Sequence, residues 1–334
     1  MIRPLAVSLG DPAGVGPELI AEAWARREAE RLPAFFVCGG AGVMRAAAAT
    51  RGIELRVERI ADPAGAADVF GHALPVLDPT VDAPYGPGQP GEPGARLALA
   101  SLERAATLTA EGHASGLITG PVSKAELAAI GFAFPGQTEY VAEISRVPAD
   151  DAVMMLAGPQ LRTVPMTVHC PLAEVPARLS IGLIHRRVAI VARALERDFG
   201  IAAPRIAICG LNPHAGEKGS MGREEIEIIA PAIAALRADG IHATGPHPAD
   251  TLFAPHLRPT YDVAIAMYHD QALDPLKALD FDHGVNVTLG LPIVRTSPDH
   301  GTAFDIAGKG IASPGATIAA IRMAGEMAAR RAQA

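Results

Sequence analysis

Three histidines in this 334-residue sequence each follow a run of apolar residues. The three segments read TVPMTVH, ending at His169, IAICGLNPH, ending at His214, and VAIAMYH, ending at His269. Short apolar runs are typical of buried strands, so each imidazole is predicted at or just past the carboxyl end of a strand. Three imidazoles that meet at one edge of a sheet would form the usual donor set of a catalytic metal site. The alternative is that each histidine is a structural residue at a strand end.

The segment 262–310 concentrates further residues that could bind a ligand. It carries cations, an amide, carboxylates and a histidine between glycines and prolines, namely Lys277, Asn286, Arg295, Asp299, His300, Asp305 and Lys309. Ligands of open α/β folds bind beyond the carboxyl ends of the strands. The segment therefore predicts a site for an anionic ligand, built on loops that follow a strand. Any one of these side chains by itself is better explained as solvated surface.

Two carboxylates accompany the histidines in the sequence. Asp270 directly follows His269, and Asp250 lies in the preceding loop. Such carboxylates commonly hydrogen-bond the outer nitrogen of a metal-binding imidazole and fix its tautomer. The three cysteines form no CxxC motif, so neither a disulfide framework nor a structural zinc site is expected.

The elements that must position these residues alternate between strands and helices. Strands are predicted at 5–9, 34–38, 116–120, 152–156, 162–168, 206–209 and 263–267, and helices at 95–112, 176–198, 224–238 and 316–330. This alternation indicates an α/β fold with mostly parallel sheets. The glycine-rich turn at 39–42 is not a dinucleotide-binding fingerprint, because Arg45 occupies the position of the third glycine.

Composition excludes several classes of protein. The sequence is 49% hydrophobic and 19% charged, as in an ordinary globular enzyme. A net charge of −7 argues against a nucleic-acid-binding surface. No apolar run reaches membrane-spanning length, and the N-terminal residues lack the apolar core of a signal peptide. These features predict a cytoplasmic protein with no membrane partner.

Seven longer motifs run through the chain: GDPAGVGPE at 10–18, GPVSK at 120–124, PGQTE at 135–139, NPHAGE at 212–217, HPADT at 247–251, YHDQALDPLK at 268–277 and GVNVTLGLPIVRTSPDHGTAFDIAGKG at 284–310. Together these motifs resemble the 4-hydroxythreonine-4-phosphate dehydrogenase family of vitamin B6 biosynthesis. The last motif also resembles the nucleotide-binding stretch of isocitrate and isopropylmalate dehydrogenases. The resemblance implies two α/β/α domains with a cleft between them and not a Rossmann fold. We expect a discontinuous first domain, 1–130 plus 275–334, and a second domain, 131–274.

The resemblance also implies roles for individual residues. Those roles are metal binding by His169, His214 and His269, substrate binding by Gln137, Thr138, Lys277, Asn286 and Arg295, and cofactor binding by Asp299, His300, Gly301 and Asp305. The proton acceptor is Lys277, Asp250 or a water on the metal. Family members often have a histidine where this chain has Gln137, and an amide cannot carry a proton at neutral pH.

The activity that the resemblance implies is oxidation of 4-phosphooxy-L-threonine at C3. It requires NAD or NADP and one divalent metal ion, either zinc, magnesium or cobalt, and the β-keto acid product loses CO2. A homodimer with an active site shared across its interface is also implied. Relatives that oxidise 4-phospho-erythronate, phospho-threonate or an aromatic cis-dihydrodiol share much of this pattern.

Two other classes of protein use similar residues. A metal-dependent sugar-phosphate hydrolase or aldolase would also need three imidazoles and cations for its anionic substrate. Such an enzyme has no reason to keep the nucleotide-binding stretch at 299–310. A catalytically silent binding protein would have no reason to keep the full set of His, Lys, Asn and Arg side chains.

Overall fold

The computed structural model describes residues 2–77 and 83–333. Within these ranges the strands are β1 (Leu5–Ser8), β2 (Phe35–Cys38), β3 (Val57–Ile60), β4 (Leu74–Leu77), β5 (Leu117–Thr119), β6 (Val153–Ala157), β7 (Arg162–Pro165), β8 (Ile206–Cys209), β9 (Ala243–His247), β10 (Val263–Ala266), β11 (Val285–Leu289) and β12 (Arg295–Pro298). The α-helices are α1 (Gly16–Ala25), α2 (Ala41–Thr50), α3 (Ala66–Phe70), α4 (Glu92–Ala110), α5 (Lys124–Ala129), α6 (Gln137–Ile144), α7 (Val175–Arg178), α8 (Ile181–Phe199), α9 (Ala230–Ala238), α10 (Ala249–Leu252), α11 (His269–Asp280) and α12 (Gly315–Arg331).

The chain forms two compact units. Unit 1 comprises Met1–Ala149 and Leu291–Gln333, and unit 2 comprises Asp150–Gly290. The chain thus leaves unit 1 after residue 149 and returns to it at residue 291, whereas the sequence predicts breaks near residues 130 and 275. Two contacts explain the difference. Helix α6 packs against α4 inside unit 1, and β11 pairs with β6 inside unit 2.

Unit 1 is built on a parallel sheet. Its strands lie in the order β3-β4-β2-β1-β5-β12, and every pair is parallel. All side chains of β1, β2 and β4 are buried, and because successive side chains point to opposite faces, both faces of the sheet are covered. Helix α4 packs on β1 and β2, and α12 packs on β12 and β5. The strand order differs from that of a Rossmann sheet, as predicted.

Unit 2 contains a mixed sheet. Its strands lie in the order β11-β6-β7-β10-β8-β9. The first two pairs are antiparallel, and β7, β10, β8 and β9 run parallel to one another. The predicted α/β class is therefore confirmed. The strands that precede the three predicted metal-binding histidines, β7, β10 and β8, are direct neighbours, so their carboxyl ends lie at one edge of the sheet.

The segment 262–310 is more regular than the sequence predicts. Helix α11 begins at His269 and contains Pro275, and β11 and β12 carry Asn286 and Arg295. The expectation of loops is therefore wrong for Lys277, Asn286 and Arg295. It is confirmed for Asp299, His300, Asp305 and Lys309, which lie outside the helices and strands. The long helix expected over 176–198 is also interrupted, because Ser180 begins a new helix by accepting a hydrogen bond from the Leu183 amide. Within the described residues, every helix is too short or too polar to cross a lipid bilayer.

Candidate functional site

Two of the predicted metal-binding histidines lie side by side in unit 2. The ring centroids of His169 and His269 are 5.8 Å apart, and the rings are tilted by 44°. Both line a surface pocket, which is bounded by Thr167, Val168, Cys170, Leu172, Val175, Tyr268 and Asp270 as well. His169 lies past the end of β7, and His269 is the first residue of α11. The predicted position of these two imidazoles just past strand ends is confirmed.

The His269 ring is oriented by its neighbour in the sequence. Its Nδ1 lies 2.6 Å from the Asp270 carboxylate. A carboxylate accepts a hydrogen bond from a neutral or cationic imidazole, so this contact places the proton on Nδ1 and leaves Nε2 as the nitrogen that could accept a metal. The predicted contact between Asp270 and an imidazole is therefore observed.

Gln271 ties the carboxyl ends of two of these strands together. Its Oε1 accepts a hydrogen bond from the Met267 amide at 2.7 Å, and its Nε2 donates to the Gly210 carbonyl at 3.0 Å. Thr167 adds a second bond in this region, because its hydroxyl donates to the Met267 carbonyl at 2.9 Å. These bonds fix the backbone from which His169 and His269 project.

His214 lies in an unusual turn. Residues 214–218 all have positive φ, which is uncommon outside glycine, so the surrounding chain must hold them in place. The buried Glu225 does so, because its carboxylate accepts hydrogen bonds from the backbone amide and the side-chain amide of Asn212 at 2.7 and 3.1 Å. The His214 side chain itself is exposed.

The donor chemistry of this region fits a divalent metal in part. Two imidazoles stand together, and Asp270 orients one of them. Among the described residues, however, no group of three or more His, Cys, Asp or Glu side chains is arranged to hold an ion. A single chain therefore does not assemble His214 with the other two histidines. Asp250 lies on α10 with an exposed side chain.

Unit 1 contains a buried cationic centre on β12. The side chain of Arg295 donates to the Thr119 hydroxyl at 2.7 Å and to the Thr138 hydroxyl at 3.4 Å, and the residue is 3% exposed. Burial lowers the pKa of Arg295 to about 10, and the Glu139 carboxylate partly opposes that effect. The guanidinium remains charged at neutral pH in surroundings where an anion is attracted strongly.

Gln137 lies beside this centre at the start of α6. Its Nε2 donates to the Gly120 carbonyl at 3.1 Å. Because a carbonyl only accepts hydrogen bonds, the contact fixes the amide orientation and leaves Oε1 as the free end. That Oε1 is buried and receives no hydrogen bond within the described chain. Gln137 thus offers an acceptor to a donor group on a ligand.

The other two predicted substrate-binding residues belong to unit 2. Lys277 lies on α11 with an exposed side chain, and Asn286 lies on β11. The Asn286 Oδ1 atom is buried and receives no hydrogen bond within the described chain. Like the amide of Gln137, it offers an acceptor to a ligand.

The predicted cofactor segment follows β12 in unit 1. His300 Nδ1 lies 2.9 Å from the Gly301 carbonyl, which only accepts, so this nitrogen carries the proton. Its Nε2 is buried and has no hydrogen-bond partner within the described chain. An orphaned nitrogen of this kind fits a bound group that supplies a donor. The side chains of Asp299 and Asp305 are half-buried and exposed, respectively, and Gly301 is exposed.

Sequence reasoning missed three residues of these sites. Thr119 accepts a hydrogen bond from Arg295, and Gln271 bonds the ends of two strands. Glu225 accepts a hydrogen bond from Asn212, just before the His214 turn. Thr119 directly precedes GPVSK, and Gln271 lies inside YHDQALDPLK, so both were marked only by motifs. Glu225 stands in a helical pattern in which a glutamate usually faces solvent, and nothing in the sequence indicates its burial.

Comparison with known proteins gives consistent results over the full chain. The chain is 62% identical over 332 residues to the 4-hydroxythreonine-4-phosphate dehydrogenase of Erythrobacter litoralis, covering 99% of this chain and 98% of that protein. It is 52% identical over 330 residues to the enzyme of the same name from Zymomonas mobilis, covering 99% and 97%.

Solved structures with the same fold include relatives with two different names. A 4-hydroxythreonine-4-phosphate dehydrogenase from Klebsiella pneumoniae matches with a TM-score of 0.86 and 38% identity, covering 98% of each chain. A terephthalate 1,2-cis-dihydrodiol dehydrogenase from Burkholderia xenovorans matches with a TM-score of 0.66 and 31% identity, covering 97% of this chain and 98% of that one. The family model described as pyridoxal phosphate biosynthetic protein PdxA matches residues 31–324. The chain belongs to the PdxA family of pyridoxal phosphate biosynthetic proteins.

Proposed function

We propose that this protein oxidises 4-phosphooxy-L-threonine at C3 in vitamin B6 biosynthesis, with NAD or NADP as the oxidant. The product, 2-amino-3-oxo-4-phosphooxybutanoate, then loses CO2 to give 3-amino-2-oxopropyl phosphate. One observation carries the proposal. Thr138 and Arg295, which family resemblance assigns to the substrate, are 157 residues apart in the sequence and are hydrogen-bonded in the fold.

Arg295 is the proposed anchor of the substrate phosphate. A guanidinium binds phosphate through two parallel hydrogen bonds, and such charge-assisted bonds are stronger than neutral ones. The hydroxyls of Thr119 and Thr138 hold the guanidinium in place, at 2.7 and 3.4 Å, before the substrate arrives. Lys277, on α11 of unit 2, is proposed as a further substrate-binding cation, as the family resemblance implies.

The two amides are proposed to orient the rest of the substrate. Gln137 Oε1 and Asn286 Oδ1 are buried acceptors without a donor in the described chain, and the substrate carries an ammonium group and a hydroxyl. Binding these donors would satisfy both acceptors. A buried acceptor without a donor costs free energy, so a substrate analogue that lacks the donors should bind less well.

His169 and His269 are the proposed ligands of a divalent metal, either zinc, magnesium or cobalt. When bound, such an ion supplies Lewis-acid chemistry that lowers the pKa of the C3 hydroxyl. Asp270 holds the His269 ring through Nδ1, so that Nε2 faces away from the carboxylate contact and is the proposed ligand atom. Lys277 and Asp250 are the proposed candidates for accepting the hydroxyl proton, and both side chains are exposed.

The segment Asp299, His300, Gly301 and Asp305 is the proposed cofactor site. A nicotinamide dinucleotide bound there supplies the hydride acceptor for the oxidation. His300 Nε2 is buried and lacks a donor within the described chain, and a hydroxyl of the dinucleotide would supply one. The exposed backbone of Gly301 leaves room for a close approach by the cofactor.

We propose a homodimer in which a second copy supplies the third histidine of each metal site. Exposed apolar side chains flank both parts of the site. Leu172 lies in the pocket of His169 and is 66% exposed, and Met221 and Ile226, beside the His214 turn, are 49% and 45% exposed. Apolar groups at these positions favour burial against another chain.

A direct assay tests the proposal. Purified protein is incubated with 4-phosphooxy-L-threonine and NAD or NADP, and reduced cofactor is measured at 340 nm (a wavelength set by the nicotinamide) with and without a chelator. We expect activity that the chelator removes and that zinc, magnesium or cobalt restores. Arg295→Met should lower kcat/KM by about a hundredfold or more, whereas Arg96→Met on the exposed face of α4 should not change it. Undiminished activity in Arg295→Met would contradict the assigned substrate site.

A second candidate is oxidation of an aromatic cis-dihydrodiol that carries a carboxylate. It is favoured by the 31% identity to the Burkholderia xenovorans terephthalate dihydrodiol dehydrogenase and by the amide at Gln137. Arg295 would bind carboxylate as well as phosphate. The same assay with a dihydrodiol and with 4-phospho-erythronate or phospho-threonate distinguishes these activities.

A further inference from the structure

A buried ionic cluster in unit 1 lies beneath the proposed cofactor segment. The cluster consists of Glu18 and Glu22 on α1 and of Arg51 at the end of α2. Glu18 is fully buried, and its Oε2 lies 3.6 Å from Nη1 of Arg51. The other terminal nitrogen of Arg51 pairs with the Glu22 carboxylate.

The cluster binds the chain that follows the cofactor residues. Glu18 Oε1 accepts a hydrogen bond from the backbone amide of Gly308. Arg51 donates to the backbone carbonyl of Ala312 at 3.2 Å. The carboxylate and the guanidinium thus hold the segment 303–312 at two points. Since this segment forms turns and no regular helix or strand, it depends on such side-chain contacts for its conformation.

Apolar packing and close backbone contact support the same attachment. Ala307 and Ala312 pack in a small buried cluster with Val15 and Leu19. The Val15 amide donates to the Thr302 carbonyl at 2.9 Å. Next to it, a Cβ atom on Gly14 would lie 2.7 Å from the same Thr302 oxygen, so the residue there must be glycine. This close contact gives the GDPAGVGPE motif a physical role in docking the segment.

Tyr85 extends the polar cluster. Burial raises the pKa of the Tyr85 phenol, and the charge of the nearby Glu18 carboxylate raises it further. The phenol therefore stays protonated at neutral pH and is able to donate a hydrogen bond.

We propose that Glu18 and Arg51 are positioning residues for the dinucleotide. They hold the segment 303–312 in the conformation that binds the cofactor, and Glu18 does so without touching it, because its side chain is fully buried. The inference rests on the proposed function, in which Asp299, His300, Gly301 and Asp305 bind NAD or NADP. Loss of either charge frees one attachment point and lowers cofactor affinity.

The test compares Glu18→Gln and Arg51→Met with a matched pair of controls. Glu92→Gln and Arg96→Met remove an exposed ion pair of 2.7 Å on α4 in the same unit. NADH and NADPH affinities are measured by fluorescence titration, and hydrogen exchange is followed in peptides that cover 303–312. We expect the cofactor Kd to rise about tenfold in each cluster variant, as for a lost charge-assisted hydrogen bond, and to stay unchanged in the controls.

The steady-state pattern separates positioning from general damage. The KM for the cofactor should rise while kcat at saturating cofactor stays within about twofold, since a positioning defect is overcome by mass action. The double variant should bind the cofactor about as weakly as each single variant, because the two residues act as one unit. If Glu18→Gln does not fold, Arg51→Lys, which keeps the charge but loses the two-sided geometry, serves in its place.

The outcomes distinguish this proposal from the proposed function. Unchanged cofactor affinity in folded variants would overturn the positioning role and leave the proposed function intact. Unchanged exchange in 303–312 would overturn the attachment itself. If the unaltered protein binds neither NADH nor NADPH, the cofactor assignment fails, and the positioning role fails with it.

Discussion

Arg295→Met should make the ligand-free protein more stable while it removes substrate binding. The physical reason is that burial of the guanidinium serves ligand binding and lowers the stability of the ligand-free folded state. Burial lowers its pKa well below the ordinary value of a guanidinium, to about 10. Since each pKa unit equals about 1.4 kcal/mol, keeping the charge inside costs the folded state about 3 kcal/mol. Methionine fills a similar volume and carries no charge.

Part of that gain is offset by lost hydrogen bonds. The Thr119 and Thr138 hydroxyls lose bonds of 2.7 and 3.4 Å, and because the longer bond is weak, the two together cost about 1 kcal/mol. The net increase in the free energy of unfolding is therefore about 2 kcal/mol, or about 4 to 8 °C in the unfolding midpoint for a unit of this size. Binding changes in the opposite direction. Loss of two charge-assisted bonds to phosphate should lower kcat/KM by about a hundredfold or more.

The assay is thermal unfolding with and without inorganic phosphate and the phosphorylated substrate, together with steady-state kinetics. Phosphate should raise the midpoint of the unaltered protein and leave that of Arg295→Met unchanged. Arg96→Met, whose side chain is 60% exposed in the parent chain, serves as the control and should behave like the parent in both respects. A lower midpoint for ligand-free Arg295→Met, or equal stabilisation by phosphate, would refute the reasoning.

Three further changes test other contacts. Asp270→Asn should weaken zinc binding about tenfold or more in calorimetry, because the carboxylate orients the His269 ring; equal affinity would contradict that role. Asp11→Asn should raise the unfolding midpoint at neutral pH. Burial raises the pKa of Asp11 in the folded state above its value of 3.8 in the unfolded chain. The unfolded chain therefore loses this proton at lower pH, and the folded state loses stability as the pH rises from the unfolded to the folded pKa. The stabilisation by Asp11→Asn should therefore vanish in acid, where the carboxyl is protonated in both states. Ser123→Ala should lower the free energy of unfolding, measured by chemical denaturation, by about 1 kcal/mol, because the Ser123 hydroxyl accepts a hydrogen bond from the Glu126 amide at the start of α5. An unchanged free energy would show that this N-cap does not stabilise the helix.

The sequence predicts the apolar strands of the fold well because their burial is encoded locally. The runs that became β1, β2, β8 and β10 are apolar on both faces, which is the pattern of a covered parallel sheet. β12 could not be predicted in this way. Its residues, RTSP, are polar, yet all four are buried, because the Arg295 and Thr296 side chains bond inside the protein.

Local cues also failed where a long-range contact decides the conformation. Pro275 suggested a loop, but its place in α11 is tolerated by the packing of that helix against β7 and β10. The left-handed turn at His214 depends on the buried Glu225, which a single sequence does not reveal. The predicted position just past a strand end is therefore confirmed for His169 and His269, whereas the backbone conformation around His214 and Lys277 was not predicted.

The discontinuous composition of unit 1 has a consequence for synthesis on the ribosome. Unit 2 is one continuous stretch and is complete once residue 290 has left the exit tunnel. Unit 1 begins earlier but cannot finish then, since β12 and α12, which cover β5, are made last. Until they emerge, β5 is paired with β1 on one side only, and its other edge and the face that α12 covers stay open, the kind of surface that nascent-chain chaperones bind. The first half of the protein to be translated is thus the last to become native.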